Sequence, residues 1–170
     1  IHRDVKPENV LIELPDAGAR RDSGDEDARP SSGGRRSSER SSRTRFLVKL
    51  TDFGIAKVLD AQGGTSTGQI LGSPAHMAPE QIEGGDIGPH TDVFALGVLF
   101  YECMVGHLPF EGKNPAQVLR RVLEGSFEAA DTERPEVGGR WARIVAMALE
   151  NDAEARIQSA EELGTLIRAE

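Results

Sequence analysis

Asp4, Lys6 and Asn9 share one short stretch, Ile1-His2-Arg3-Asp4-Val5-Lys6-Pro7-Glu8-Asn9, and a second acid opens the triplet Asp52-Phe53-Gly54. A carboxylate, an ammonium, a carboxamide and a further carboxylate are the group types that phosphoryl transfer uses. It needs a positioned base, a cation against developing charge, and oxygen ligands for metal ions on the phosphates. Carboxylate and carboxamide oxygens are donors of the kind that hard cations take. Taken singly, each acid reads more simply as a turn or cap residue. A third triplet, Ala78-Pro79-Glu80, follows further along the chain.

These residues need elements to hold them. Val10-Leu11-Ile12-Glu13-Leu14 and Phe46-Leu47-Val48-Lys49-Leu50 are short β-prone runs, expected to flank a long tongue as two hairpin strands. Between them, Asp16 to Arg45 holds seven Ser, eight Arg, six acids, four Gly and no Val, Ile, Leu, Met or Phe. A segment of that composition cannot form a core and is expected to be a disordered insertion. Asp92 to Val105 is apolar on nearly every side and reads as a buried central helix, ended by Gly106 and Pro109. Asn114 followed by Pro115 offers an N-cap and first-turn proline for a helix that Gly125 stops. Trp141, Ile144, Val145 and Ala148 share one helical face, and Ser159 with Glu162 forms a capping-box signature ahead of Leu163, Leu166 and Ile167. The expected architecture is α+β and mainly α: short hairpin strands at the front, a helical bundle around a buried central helix behind.

Composition narrows the function classes. With 170 residues and 38 % apolar content the chain has the length of one domain. Twenty Lys plus Arg against 28 Asp plus Glu leave a net charge of -8, which argues against a nucleic-acid surface. The single cysteine, Cys103, has no intramolecular partner, so a reducing, cytoplasmic setting is the default; its place in the apolar helix implies burial. Val93 to Val105 contains Gly97 and Glu102 and is too short to span a bilayer, so no membrane segment is expected. Ile1 is not a start methionine, from which the chain is expected to be processed or a fragment.

The order H-R-D with Asn five residues after the Asp, then D-F-G, then A-P-E, resembles the catalytic loop, metal-binding loop and activation-segment end of eukaryotic-like protein kinases. Gly72 to Gln81, with Asp92-Val93-Phe94-Ala95-Leu96-Gly97, is most similar to the bacterial serine/threonine members. The resemblance covers residues 1–170 apart from the tongue, but only the C-terminal lobe of that fold. It implies that Asp4 accepts or orients the substrate hydroxyl proton, that Lys6 sets an ammonium near the γ-phosphate of ATP, and that Asn9 and Asp52 ligate Mg²⁺. Lys6, two residues after Asp4, is what the serine/threonine branch carries, so Ser and Thr of proteins are the implied substrates. Ser73 stands where that branch usually has Thr, and a hydroxyl there can bridge Asp4 and Lys6. Glu80 and Arg156 are implied as an ion pair, and Asp92 as the carboxylate that holds the catalytic-loop backbone. His2 is expected to be a packed scaffold residue, while His76, His90 and His107 are expected in loops without catalytic duty. Ile157 departs from the proline common after that arginine, and Ala95 from the commoner serine.

Two regulatory expectations follow from the same resemblance. Arg3 would pair with a phosphate on Thr65, Ser66 or Thr67 in the segment from Asp52 to Glu80. Glu8 and Glu102 match positions where basophilic members bind substrate arginines, which would suit Arg20-Arg21-Asp22-Ser23 and Arg35-Arg36-Ser37-Ser38 as autophosphorylation targets. The family's Gly-rich loop, strand lysine and helix glutamate belong upstream of the catalytic loop, so an N-terminal lobe is the implied missing partner. The alternative is a kinase-derived lobe that docks a partner without phosphoryl transfer. A P-loop protein is excluded, because G-x-x-x-x-G-K-[ST] occurs nowhere.

Overall fold

A computed structural model describes residues 1–13, 46–52 and 73–169. The insertion expected over 16–45 and the hydroxyls Thr65, Ser66 and Thr67 lie outside the described residues. The chain divides into two compact units, Leu11–Lys49 on one hand and Ile1–Val10 with Leu50–Glu170 on the other.

The apolar runs at the front pair as expected: β1 (Val10–Glu13) and β2 (Leu47–Leu50) form a two-stranded sheet. Leu11, Ile12, Phe46, Leu47 and Val48 are all exposed, so these strands cover no core of their own.

From Pro79 onward the chain is mostly helical. The helices are α1 (Pro79–Glu83), α2 (Pro89–Val105), α3 (Pro115–Glu124), α4 (Ala130–Glu133), α5 (Gly138–Ala148) and α6 (Ala160–Arg168). The first three open on proline, whose missing N–H is one the first helical turn could not use. Asn114 caps α3 by accepting the Gln117 amide at 3.0 Å, and Gly125 ends it at φ 61°. Only a residue without Cβ adopts that left-handed geometry readily. Ser159 likewise accepts from the Glu162 amide at 3.1 Å. The Glu162 carboxylate reaches back one residue further than the motif implies, to the Gln158 amide at 2.9 Å.

Helix α2 is the hub. One side packs Phe94, Val98, Tyr101 and Val105 against Phe110, Val122, Ala142, Val145 and Leu149. Another puts Val93 against Ile144, Ala148, Ile157 and Leu163. A helix apolar all round must be enclosed, and α2 is enclosed along its first three turns. Phe94 and Phe110 lie nearly parallel with centroids 5.9 Å apart, and Phe127 meets Phe110 edge-on at 5.6 Å. Gly97 lets α5 approach: a Cβ there would stand 3.0 Å from both the Ala148 Cβ and a Leu149 methyl.

Three expectations need correction. The central helix begins at Pro89, not at Asp92, because Pro89 and the Thr91 hydroxyl that accepts from the Gly88 amide make an earlier start. His90 therefore sits in the first turn of α2 rather than in a loop. Cys103 is exposed, because it lies on the outer face of the last turn of α2, where Tyr101, Met104 and Val105 are the residues packed on the core. Ile157, the departure from proline, is a buried core residue.

Candidate active site

The loop that carries Asp4 is anchored from below. The two oxygens of Asp92, in the first turn of α2, accept the backbone amides of His2 at 2.6 Å and Arg3 at 2.7 Å. Charge-assisted bonds of that length are stronger than neutral ones. They hold Arg3 at φ 69°, a left-handed conformation that costs a side-chain-bearing residue free energy unless its surroundings enforce it. The His2 ring is buried with Nε2 2.9 Å from the Thr51 carbonyl, so it acts as a strut between the loop and the end of β2.

Above this anchor the polar side chains converge. Lys6 Nζ stands 2.9 Å from Asp4 Oδ2, and Asn9 Nδ2 donates to the same oxygen at 3.1 Å and to the Asp4 carbonyl at 2.7 Å. Asn9 is buried in the 3-10 turn Pro7–Asn9, and its backbone oxygen accepts the Thr51 amide at 2.8 Å. That bond ties the residue before Asp52 to Asn9. Asp52 itself is exposed and, at φ 54°, is the second non-glycine in left-handed geometry among the described residues. The chemistry of this donor set suits Mg²⁺. The Asn9 amide nitrogen is engaged by Asp4, which leaves its Oδ1 as the atom to face a cation, and Asp52 adds carboxylate oxygen. Among the described residues no cluster of three or more His, Cys, Asp or Glu offers a closed metal cage. Two protein oxygens with phosphate and water completing the shell is how Mg²⁺ is usually held beside nucleotides.

Ser73 precedes the 3-10 turn Pro74–His76 and lines a small recess together with Arg3, Asp4, His76 and Asp92. Its hydroxyl lies 3.2 Å from His76 Nδ1, while Asp4 and Lys6 meet directly. Glu8 is exposed in the 3-10 turn beside Asn9, and Glu102 lies on the last turn of α2, with Oε2 4.0 Å from His76 Nε2. His76 therefore touches two of the candidate residues, a placement the sequence reading did not anticipate. The alternation of Ser73 and His76 at i and i+3 of a proline-started turn was the available signal.

Glu80 and Arg156 form a buried, two-pronged pair at 2.8 and 3.0 Å. The guanidinium also donates to the carbonyls of Glu150, His90 and Asn151, at 2.7, 3.1 and 3.2 Å, so each of its five N–H groups finds an acceptor. Its flat face lies 5.0 Å from the centre of the Phe94 ring. Burial pushes the Glu80 carboxyl up, but hydrogen bonds from Arg156, its own backbone amide and the Thr91 hydroxyl, with the Arg156 charge, outweigh this and leave it below the ordinary 4.5.

A hub helix, a carboxylate clamping an H-R-D loop, and a buried acid at the end of A-P-E locked to a distant arginine define a protein-kinase C-lobe. The family model for the protein kinase domain matches residues 1–165, and the chain belongs to that family. It is 32 % identical over 169 residues to the serine/threonine-protein kinase PknL of Mycobacterium tuberculosis, covering 99 % of this chain and 35 % of the relative. It is 28 % identical to the serine/threonine-protein kinase PrkC of Bacillus subtilis, covering 96 % of this chain and 20 % of that protein. The chain thus spans about a third of one relative's length and a fifth of the other's. A twitchin kinase region from C. elegans shares the fold, with a TM-score of 0.62 at 24 % identity over 96 % of this chain and 24 % of that one. Among the described residues no helix is long and apolar enough to cross a membrane.

Proposed function

We propose that residues 1–170 form the C-terminal half of the catalytic site of a serine/threonine protein kinase, which moves the γ-phosphoryl group of MgATP to Ser or Thr hydroxyls of proteins. The observation that carries this reading is the convergence of Lys6 and Asn9 on one oxygen of Asp4, at 2.9 and 3.1 Å, in a loop whose amides Asp92 holds. Bound MgATP supplies the electrophilic phosphorus and the charge of the metal. Asp4 orients the substrate hydroxyl and receives its proton, and the neighbouring Lys6 ammonium offsets charge on the transferred group. Asn9 Oδ1 and the Asp52 carboxylate are the ligands offered to Mg²⁺. An N-terminal lobe that covers the phosphates completes the cleft.

Substrate choice and regulation belong to the same proposal. Glu8 and Glu102 are the carboxylates offered to arginines flanking the target hydroxyl, and Arg3 is the partner offered to a phosphate on Thr65, Ser66 or Thr67. Phosphate transfer from labelled ATP to a serine peptide, measured on the full-length kinase that contains this chain in wild-type, Asp4→Asn and Asp52→Ala forms, tests the central claim. Loss of a general base costs about 10²–10⁴ in rate. Turnover retained in both variants overturns the site assignment, and a wild type without turnover favours a docking lobe.

A further inference from the structure

Glu102 Oε2 is shielded from solvent and accepts no hydrogen bond among the described residues, yet His76 Nε2 stands 4.0 Å away. The other ring nitrogen lies 3.2 Å from the Ser73 hydroxyl. His76 is thus a link between the carboxylate offered to a substrate arginine and a hydroxyl that shares a recess with Asp4. Imidazole is the one side chain whose ordinary titration falls within about pH 5–8, so the link is chargeable.

We propose that His76 is a specificity-determining residue whose protonation sets the charge that Glu102 presents to a cationic substrate side chain. This deepens, and rests on, the reading of Glu102 as an arginine acceptor. As imidazolium, His76 donates toward Oε2 and neutralises the carboxylate, so an arriving guanidinium finds less charge. As neutral imidazole it leaves the full negative charge in place. The same proton acts on the other side. In the neutral ring with its proton on Nε2, Nδ1 accepts from the Ser73 hydroxyl; in the imidazolium Nδ1 donates to the Ser73 oxygen, and the Ser73 proton turns to the recess beside Asp4. The surroundings of His76 carry both signs. Arg3, Asp4 and Asp92 line the recess it shares with Ser73, while Glu111, Lys113 and Arg121 line the cavity of about 700 Å³ on the α3 side of Ser73-Pro74-Ala75. Glu102 lies at ion-pair distance from Nε2. By linkage, a guanidinium that occupies Glu102 must lower the proton affinity of His76 by the factor that the proton weakens guanidinium binding.

The test uses the full chain and two synthetic peptides, Gly-Ala-Arg-Arg-Asp-Ser-Gly-Asp, which repeats residues 18–25, and the same peptide with both arginines replaced by alanine. Calorimetry gives their affinities from about pH 5 to 8, and NMR of the ring-labelled His76 gives its titration midpoint with and without peptide. The expected result is an arginine preference that rises about two- to fivefold with pH, the scale of one partly exposed ion pair. It flattens in His76→Gln, and the His76 midpoint falls both in Glu102→Gln and on binding the arginine peptide to the wild type. An arginine preference that persists with an unchanged pH slope in His76→Gln, or a His76 midpoint indifferent to Glu102→Gln, overturns the inference while leaving the arginine site standing. No arginine preference at any pH overturns the reading of Glu102 itself. The wild-type NMR arm needs no variant to fold.

Discussion

Arg156 directs both terminal nitrogens at Glu80, one to each carboxylate oxygen, across 76 positions of sequence. The pair joins the start of α1 to the loop before α6, and the Thr91 hydroxyl adds a third bond from α2 at 2.8 Å. Three separate stretches of chain thus meet on one carboxylate.

Removing one partner leaves the other buried without compensation. Glu80→Ala and Arg156→Ala are each expected to lower stability by about 3–5 kcal/mol. Glu80→Leu with Arg156→Met, which removes both charges, is expected to recover part of that loss. Urea unfolding of the wild type and the three variants checks it, and a double variant as unstable as the sum of the singles would sink the account.

The pair also makes stability depend on acid. Glu80 has a carboxyl lowered from its usual 4.5, so its contribution is fully present above that value and is lost as pH falls through the folded-state value. Between about pH 6 and pH 3 the wild type should lose more stability than Glu80→Gln, which has no carboxyl to protonate there. Parallel curves for the two proteins would show that Glu80 does not carry the acid limb.

Asp92 is expected to control the order of the loop that carries Asp4 more than the stability of the bundle. Asp92→Ala removes two charge-assisted bonds, each worth about 1.5–3 kcal/mol, and releases the amides of His2 and Arg3. Hydrogen exchange at those two amides should accelerate by well over tenfold while the α5 core amides keep their protection. Asp92→Asn, which retains a carbonyl acceptor, should fall between.

Gly97 is set by packing rather than by backbone geometry. Gly97→Val forces branched carbons toward Ala148 and Leu149, already 3.0 Å from a bare Cβ, and is expected to cost about 1–3 kcal/mol. Thermal unfolding that shows no loss would mean that α5 shifts at no cost.

Local chemistry was legible wherever one stretch of chain decides the outcome. The Asn114 cap with Pro115, the Gly125 stop, the Ser159 cap and the Trp141-to-Ala148 face each depend on residues within a turn or two of each other. The same locality made the paired strands readable from their β-prone runs. Errors came where tertiary environment overrides local pattern. Cys103 shares its composition with the buried run before it, and only its place on the outer face of the last turn of α2 exposes it. His90 read as loop because the Thr91 side chain, capping Gly88, is what starts the helix early.

By itself the sequence determined the family, through three triplets in order, and the residue types that phosphoryl transfer requires. It also determined most helix ends, since caps and stops are short-range steric and hydrogen-bond events. Only the tertiary structure decided that five acceptors surround Arg156 and that His76 stands between Ser73 and Glu102. Those arrangements join groups far apart in the chain, and contact distances across packed helices are set by how the whole core closes around α2, which no local pattern encodes.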